Sequence, residues 1–291
     1  MIAVHATSSG LEPELRDEYK GKTLLIRGFH PQDELAYDVR GNLIGESASG
    51  DWTADGFVTI EDIHISGARL IVDARRLIIV SIGHVFQFAV AEQPTPDKRG
   101  KQPVHLQVTI DFGQESPSAE QVHEVISKIF FTPDDDFTES IPDYWKPCVT
   151  GGLAGKSSEC LFSKDILAVP GVGSPTRSTT STIVNESLSD VQHLGPIFRV
   201  GGGVTPPGVI LRLDPEFSER APQARFQGTV TLLLIVDKQG IPTNVHIAKP
   251  LGYGLDERAV RAVRGWRFKP SEKDGYPVSV EIAVEVQFHL Y

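Results

Sequence analysis

Asp134, Asp135 and Asp136 stand in a row, three carboxylates that could hold a cation. The spacing lacks the glycine and the terminal glutamate of a calcium loop, so a solvated turn is the plainer reading. The nine histidines are scattered, with no His-Glu-x-x-His pair to grip zinc. Gly201, Gly202 and Gly203 precede Val-Thr-Pro-Pro without the Lys-Ser/Thr of a phosphate loop and read as a hinge. No Gly-x-Ser-x-Gly elbow occurs. Arg258, Arg261 and Arg264 recur every three residues; a phosphate or an acidic partner could meet them, but a solvated helix face accounts for them as well. These residues supply no catalytic group, no metal ligand set and no cofactor site. Cys148 and Cys160 lie close together in a loop-like context, which fits one disulfide in an oxidising compartment and fits two free thiols as well.

Charge narrows the partners. The chain of 291 residues carries a formal net charge of -10, and Gly201 to Tyr291 holds 11 Lys/Arg against 10 Asp/Glu, so the excess acid lies in the first 200 residues. An acidic bulk argues against nucleic acid, whose phosphates supply most non-specific affinity to basic proteins. No apolar run reaches the ~18 residues of a spanning helix. Met1 to Gly10 shows no basic start followed by an apolar segment, so no secretory signal is visible.

The elements that must position any site fall into an α+β pattern of two domains. From Lys22 to Phe88, short runs such as Thr23-Leu24-Leu25-Ile26, Phe57-Val58-Thr59-Ile60 and Leu77-Ile78-Ile79-Val80 have strand composition. Gly28, Gly41-Asn42, Gly67 and Gly83 punctuate them, which predicts an antiparallel sheet or small barrel. Val104 to Phe112 adds a strand. Ser118 to Phe131 predicts a helix: Ser118 and Gln121 match a capping box, and Val122, Val125, Ile126 and Ile129 keep helical spacing. The domains expected are a β-rich one over 1–170 with at least one packed helix, a Ser/Thr-rich linker over 171–200 and a small α+β domain over 201–291. In the last, Thr229–Val236 and Ile241–Lys249 read as a hairpin, and Val278–Leu290 as a final strand at an edge. Between them Leu255, Ala259, Val263 and Trp266 share one helix face, with Asp256 and Glu257 at its start and arginines towards its end.

The motifs "GGVTPP", "DPEF", "QGTVTLLLIVDKQG", "LGYGLDERAVRAVRGWRFKP" and "DGYPVSVEIAVEVQFHLY" follow one another in an order that resembles the C-terminal domain of TonB-type energy transducers. The resemblance covers Gly201 to Tyr291, about a third of the chain. Phe217-Ser218 stands where many members have Tyr-Pro, and Pro222 falls inside the first predicted helix, which must begin late or break.

That resemblance implies a three-stranded antiparallel sheet with two helices. It also implies a site on the last strand, where an extended peptide, the TonB box of an outer-membrane receptor, adds as a further strand. Here the site corresponds to Ser279, Val280, Glu281, Ile282, Ala283, Val284, Glu285, Val286, Gln287 and Phe288. Alternation puts Val280, Ile282, Val284, Val286 and Phe288 on one face and Ser279, Glu281, Ala283, Glu285 and Gln287 towards solvent. The implied location is the periplasm. Partnership with ExbB and ExbD is implied only with an inner-membrane anchor outside this sequence. Two other classes stay open: a self-associating module whose edge pairs with a second copy as a homodimer, and an enzyme with its site between the N-terminal strands and the Ser118–Phe131 helix.

Overall fold

The computed structural model of the protein describes residues 8–97, 99–114, 116–157, 159–173 and 194–290. Within these the chain forms two compact units that interleave in sequence. The first draws on 8–79, 88–137 and 164–173, the second on 80–87, 138–163 and 194–290. The passage between them is therefore not confined to the segment 171–200 read as a linker, of which 174–193 lies outside the described residues.

In the first unit α1 (Ser8–Tyr19), β1 (Thr23–Leu25), β2 (Glu34–Asp38) and α2 (Trp52–Asp55) lead into β3 (Phe57–Ser66) and β4 (Arg69–Ile82). Next come β5 (Val85–Val90), whose start, like the end of β4, falls within residues 80–87 of the second unit, then β6 (Glu92–Pro94), β7 (Lys101–Pro103), β8 (His105–Asp111) and α3 (Ala119–Ile129). β3 lies between β1 and β4, antiparallel to both. β8 runs antiparallel to β4 but parallel to β2, so the sheet is mixed where an antiparallel one was expected. α1, β2, α2 and the short β6–β7 pair are additions that sequence patterning passes over. Along β8, Leu106, Val108 and Ile110 point inwards while His105 and Gln107 face out, the two-residue period of a half-buried strand. Leu11 and Leu15 of α1 and Val122, Val125 and Ile129 of α3 join them in one core. Both bonds of the Ser118–Gln121 capping box form at the start of α3. Of the three adjacent aspartates, Asp135 closes a local clasp, accepting from Arg27 at 2.6 Å and from the Thr132 amide and hydroxyl at 2.6 and 2.8 Å. Partial burial would raise its pKa, yet these bonds outweigh it and hold the carboxyl below its ordinary value.

Beyond α3 come α4 (Lys146–Leu153), β9 (Leu161–Phe162) and α5 (Lys164–Leu167), the last belonging to the first unit. The second unit continues with β10 (Ile197–Arg199), β11 (Gly208–Leu211), α6 (Arg220–Ala224), β12 (Gly228–Val236) and β13 (Pro242–Lys249). It ends with α7 (Leu255–Arg264), β14 (Arg267–Lys269), β15 (Ser271–Lys273) and β16 (Tyr276–Phe288). The sheet has the order β10-β16-β12-β13, with β15 paired to the start of β16. Five strands, one of them parallel, thus replace the three antiparallel strands expected. The reason is local: short segments outside the recognised motifs fold back onto β16.

α6 starts late, as Pro222 requires, and its Ala221 amide is held by the Ser218 hydroxyl. α7 is buried on more than the predicted face. Leu255, Ala259, Val263 and Trp266 are all at most 3% exposed, and Asp256, Glu257 and Val260 are covered too. Part of the cover is a single turn at Asp143–Trp145, which packs with α4 against β13 and whose Trp145 indole donates to Glu257 at 2.7 Å. Cys148 and Cys160 are joined in a disulfide that ties α4 to the start of β9, with 5.6 Å between their Cα atoms. Among the described residues no helix is long and apolar enough to cross a membrane.

Candidate functional site

All ten residues proposed from the sequence lie on β16. On one side the strand pairs with β12 without a break, from Val280 opposite Val236 to Phe288 opposite Gly228. The face assignment holds for most of its length: Val280, Val286 and Phe288 are buried, Ile282 and Val284 half-buried, and Ala283, Glu285 and Gln287 exposed. Phe288 closes the core edge-on against Phe217, with ring centroids 5.4 Å apart.

The other side of β16 is not the continuous free edge expected. Ser279–Glu281 is taken by β10, which pairs in parallel with Ile197 opposite Ser279 and Arg199 opposite Glu281. Ser279, Val280 and Glu281 are therefore interior to the sheet, a correction to their place in an open site. Ser279 is also fully buried instead of facing solvent, because its hydroxyl donates to the Leu194 carbonyl at 3.0 Å. Sequence reasoning placed Leu194 to Val200 in the linker. The available signal was the apolar run Ile197-Phe198 between Gly195-Pro196 and the glycine triplet, which has the outline of a short strand.

Among the described residues no strand pairs with the outer side of Ile282–Phe288. An open row of backbone donors and acceptors seven residues long is a template for one more strand. The side chains on its solvent face, Ala283, Glu285 and Gln287, are small or polar, so nothing apolar must be uncovered when a strand arrives.

Two of the three arginines of α7 have partners of their own. Arg258 lies 3.6 Å from Glu216, and the Arg264 guanidinium stacks over Tyr144 at 5.3 Å. Trp266 is core: its indole donates to the Leu213 carbonyl at 2.9 Å.

In the first unit a cleft of about 280 Å³ lies beside α3, with a floor of Leu24, Ile126, Phe130 and Phe131 and with Lys22 and His123 at its wall. Tyr19 Oη meets His123 Nδ1 at 3.1 Å, and burial pushes the Tyr19 phenol well above its ordinary value. A neutral phenol on a histidine is a packing contact; no group here is set up as a nucleophile beside a base.

The second unit thus holds a small α+β domain with one partly open edge on its last strand. The family described as Gram-negative bacterial TonB protein C-terminal matches residues 214–290, and this segment is a TonB C-terminal domain. The chain is similar to Protein TonB of Vibrio cholerae serotype O1, 29% identical over 83 residues, which are 28% of this chain and 34% of that protein. Protein TonB of Xanthomonas campestris pv. campestris is 35% identical over 77 residues, 26% of this chain and 34% of that one. The match spans about a third of the length of these curated relatives. The solution NMR structure of the Pseudomonas aeruginosa TonB CTD aligns with 23% identity and a TM-score of 0.23, covering 31% of this chain and 89% of that one.

Proposed function

We propose that the protein serves energy-coupled transport at the outer membrane and that its C-terminal domain captures an extended segment of a TonB-dependent receptor by strand addition to β16. The observation that carries this reading is the open outer edge of Ile282–Phe288 within a TonB C-terminal domain. Main-chain hydrogen bonds along the edge supply affinity, and the alternating side chains of the guest supply preference. The role is binding and force transfer rather than catalysis. A periplasmic location agrees with the Cys148–Cys160 disulfide, since such bonds persist in oxidising compartments. Coupling to ExbB and ExbD belongs to a membrane-anchored form of such a protein.

The test uses two prolines. Successive residues of a strand aim their N–H groups at opposite edges, so Val284→Pro and Glu285→Pro remove a donor from different sides of β16. A peptide carrying a receptor TonB box should lose at least about tenfold in affinity, or 1.4 kcal/mol, for whichever variant lacks the outward N–H. The other variant should lose pairing with β12 and be destabilised. If both fold and bind as the wild type does, the edge is not the site.

A further inference from the structure

We propose that β10 is an internal occupant of the peptide-binding edge, a strand of the chain's own that must leave Ser279–Glu281 before a guest peptide can pair along the full length of that edge. The inference rests on the reading of β16 as the receptor-binding strand. Its basis is that β10 pairs along the outer side of β16 from Ser279 to Glu281, three of the ten positions that a guest would need. With β10 seated, seven residues remain, or about 23 Å of edge at roughly 3.3 Å per residue.

β10 is also held in a way that allows release. Its pairing extends over three residues only. Ile197 and the following Val200 are 41% and 46% exposed, so they contribute little burial. Arg199 reaches Glu281 at 3.9 Å from a side chain that is 88% exposed, a geometry in which ion pairs are weak. The Lys273 ammonium lies over the Phe198 ring at 4.7 Å. The firm point is Leu194, buried to 4% exposure, with its carbonyl bonded by Ser279.

The exit is built in as well. Gly201, Gly202 and Gly203 have φ of 107°, 59° and 90°, values that side-chain-bearing residues rarely take, and they turn the chain off the edge directly after β10. Immediately beyond them the chain is fastened again. Val204 bridges Lys273, the Thr205 amide donates to Glu272 O at 3.0 Å, and the Thr205 hydroxyl accepts from the Glu272 amide at 2.8 Å. β10 can therefore swing out about a glycine hinge while β11 and β15 keep their places. An occupant of this kind weakens a guest by the fraction of time it holds the edge, and anything that draws Leu194 to Val200 away would raise affinity.

The experiment is hydrogen exchange and calorimetry on the full chain, with a ten-residue synthetic peptide carrying a receptor TonB box as probe. In the saturated wild type, the amides of Ile197–Arg199 should lose protection while those of Ile282–Phe288 gain it. Leu194→Asp, which puts a charge where an apolar anchor sits, should bind the peptide about tenfold more tightly with β12 and β13 still protected. Retained protection at Ile197–Arg199 in the complex, or unchanged affinity in folded L194D, overturns the proposal; the exchange measurement needs no variant. If the TonB-box peptide binds neither chain, the receptor reading fails by itself. The internal occupant is then judged with a synthetic copy of Leu194–Val200: binding to L194D alone supports it, while binding to both chains or to neither overturns it.

Discussion

Asp256 sits in the first turn of a helix that begins from Gly254 without a capping side chain, and its two oxygens accept from the amides of Leu251 and Gly252 at 2.8 and 2.7 Å. From the sequence it reads as an acidic residue favoured by the helix dipole; its full burial makes it the acceptor that fixes the chain's entry into α7. Asp256→Ala strands both amides and should cost about 2–4 kcal/mol in urea unfolding, with Asp256→Asn costing less. His246 on β13 makes a pH prediction. Burial pushes its imidazole below the ordinary value of 6.5, against the pull of Asp143. The folded chain thus binds this proton less readily than the unfolded chain does, so its contribution to stability is complete above pH 6.5 and lost as pH falls through the lowered folded value. Thermal melts should become flatter between pH 7 and 5 in His246→Gln. An unchanged slope would show that other groups set the acid limit.

At the scale of elements, the β12–β13 hairpin and α7 were plain in the pattern because each is local: alternation, a turn and helical spacing suffice. Gly240 in that turn has φ 78°, and a Cβ there would meet the Phe268 carbonyl, while its own carbonyl accepts from the Phe268 amide at 2.8 Å. Gly240→Ala should therefore destabilise the second unit by about 2 kcal/mol or more, read as a lower urea midpoint with unchanged slope. α4 with its disulfide belongs to the same unit although it lies far from 201–291 in sequence. Reduction frees a loop of 12 residues and should lower stability by about 2–3 kcal/mol. If peptide affinity falls by the same factor on reduction, α4 bears on the binding edge as well as on packing.

For the whole molecule, self-association is the alternative use of an open edge. β10 shortens what a second copy could reach to Ile282–Phe288, and Glu285 lies exposed in the middle of it. In a two-fold pair of these strands the two copies of Glu285 fall near one another, which disfavours the contact. Sedimentation equilibrium should give the mass of a single chain across a hundredfold range of concentration. A doubled mass that disappears in whichever of Val284→Pro and Glu285→Pro lacks the outward N–H, with the β12 pairing intact, would instead make the edge a dimer interface.

The residues by themselves determined the local elements and the C-terminal domain. Leu255, Ala259 and Val263 mark one face of α7, with Trp266 just past its end, Ser118 and Gln121 mark the start of α3, and the ordered motifs from "GGVTPP" onwards mark the domain. Each signal lies within a few residues of the structure it specifies or in a run of motifs of set order. Only the tertiary structure decided that Leu194 to Arg199 closes part of β16, that Trp145 meets Glu257, and that residues 80–87 and 138–163 pack with the C-terminal unit. Such pairings join segments separated by as many as 112 residues, as Trp145 and Glu257 are. No periodicity in the chain records them, because a three-residue strand or a single buried indole takes its partner from whichever surface the rest of the fold leaves uncovered.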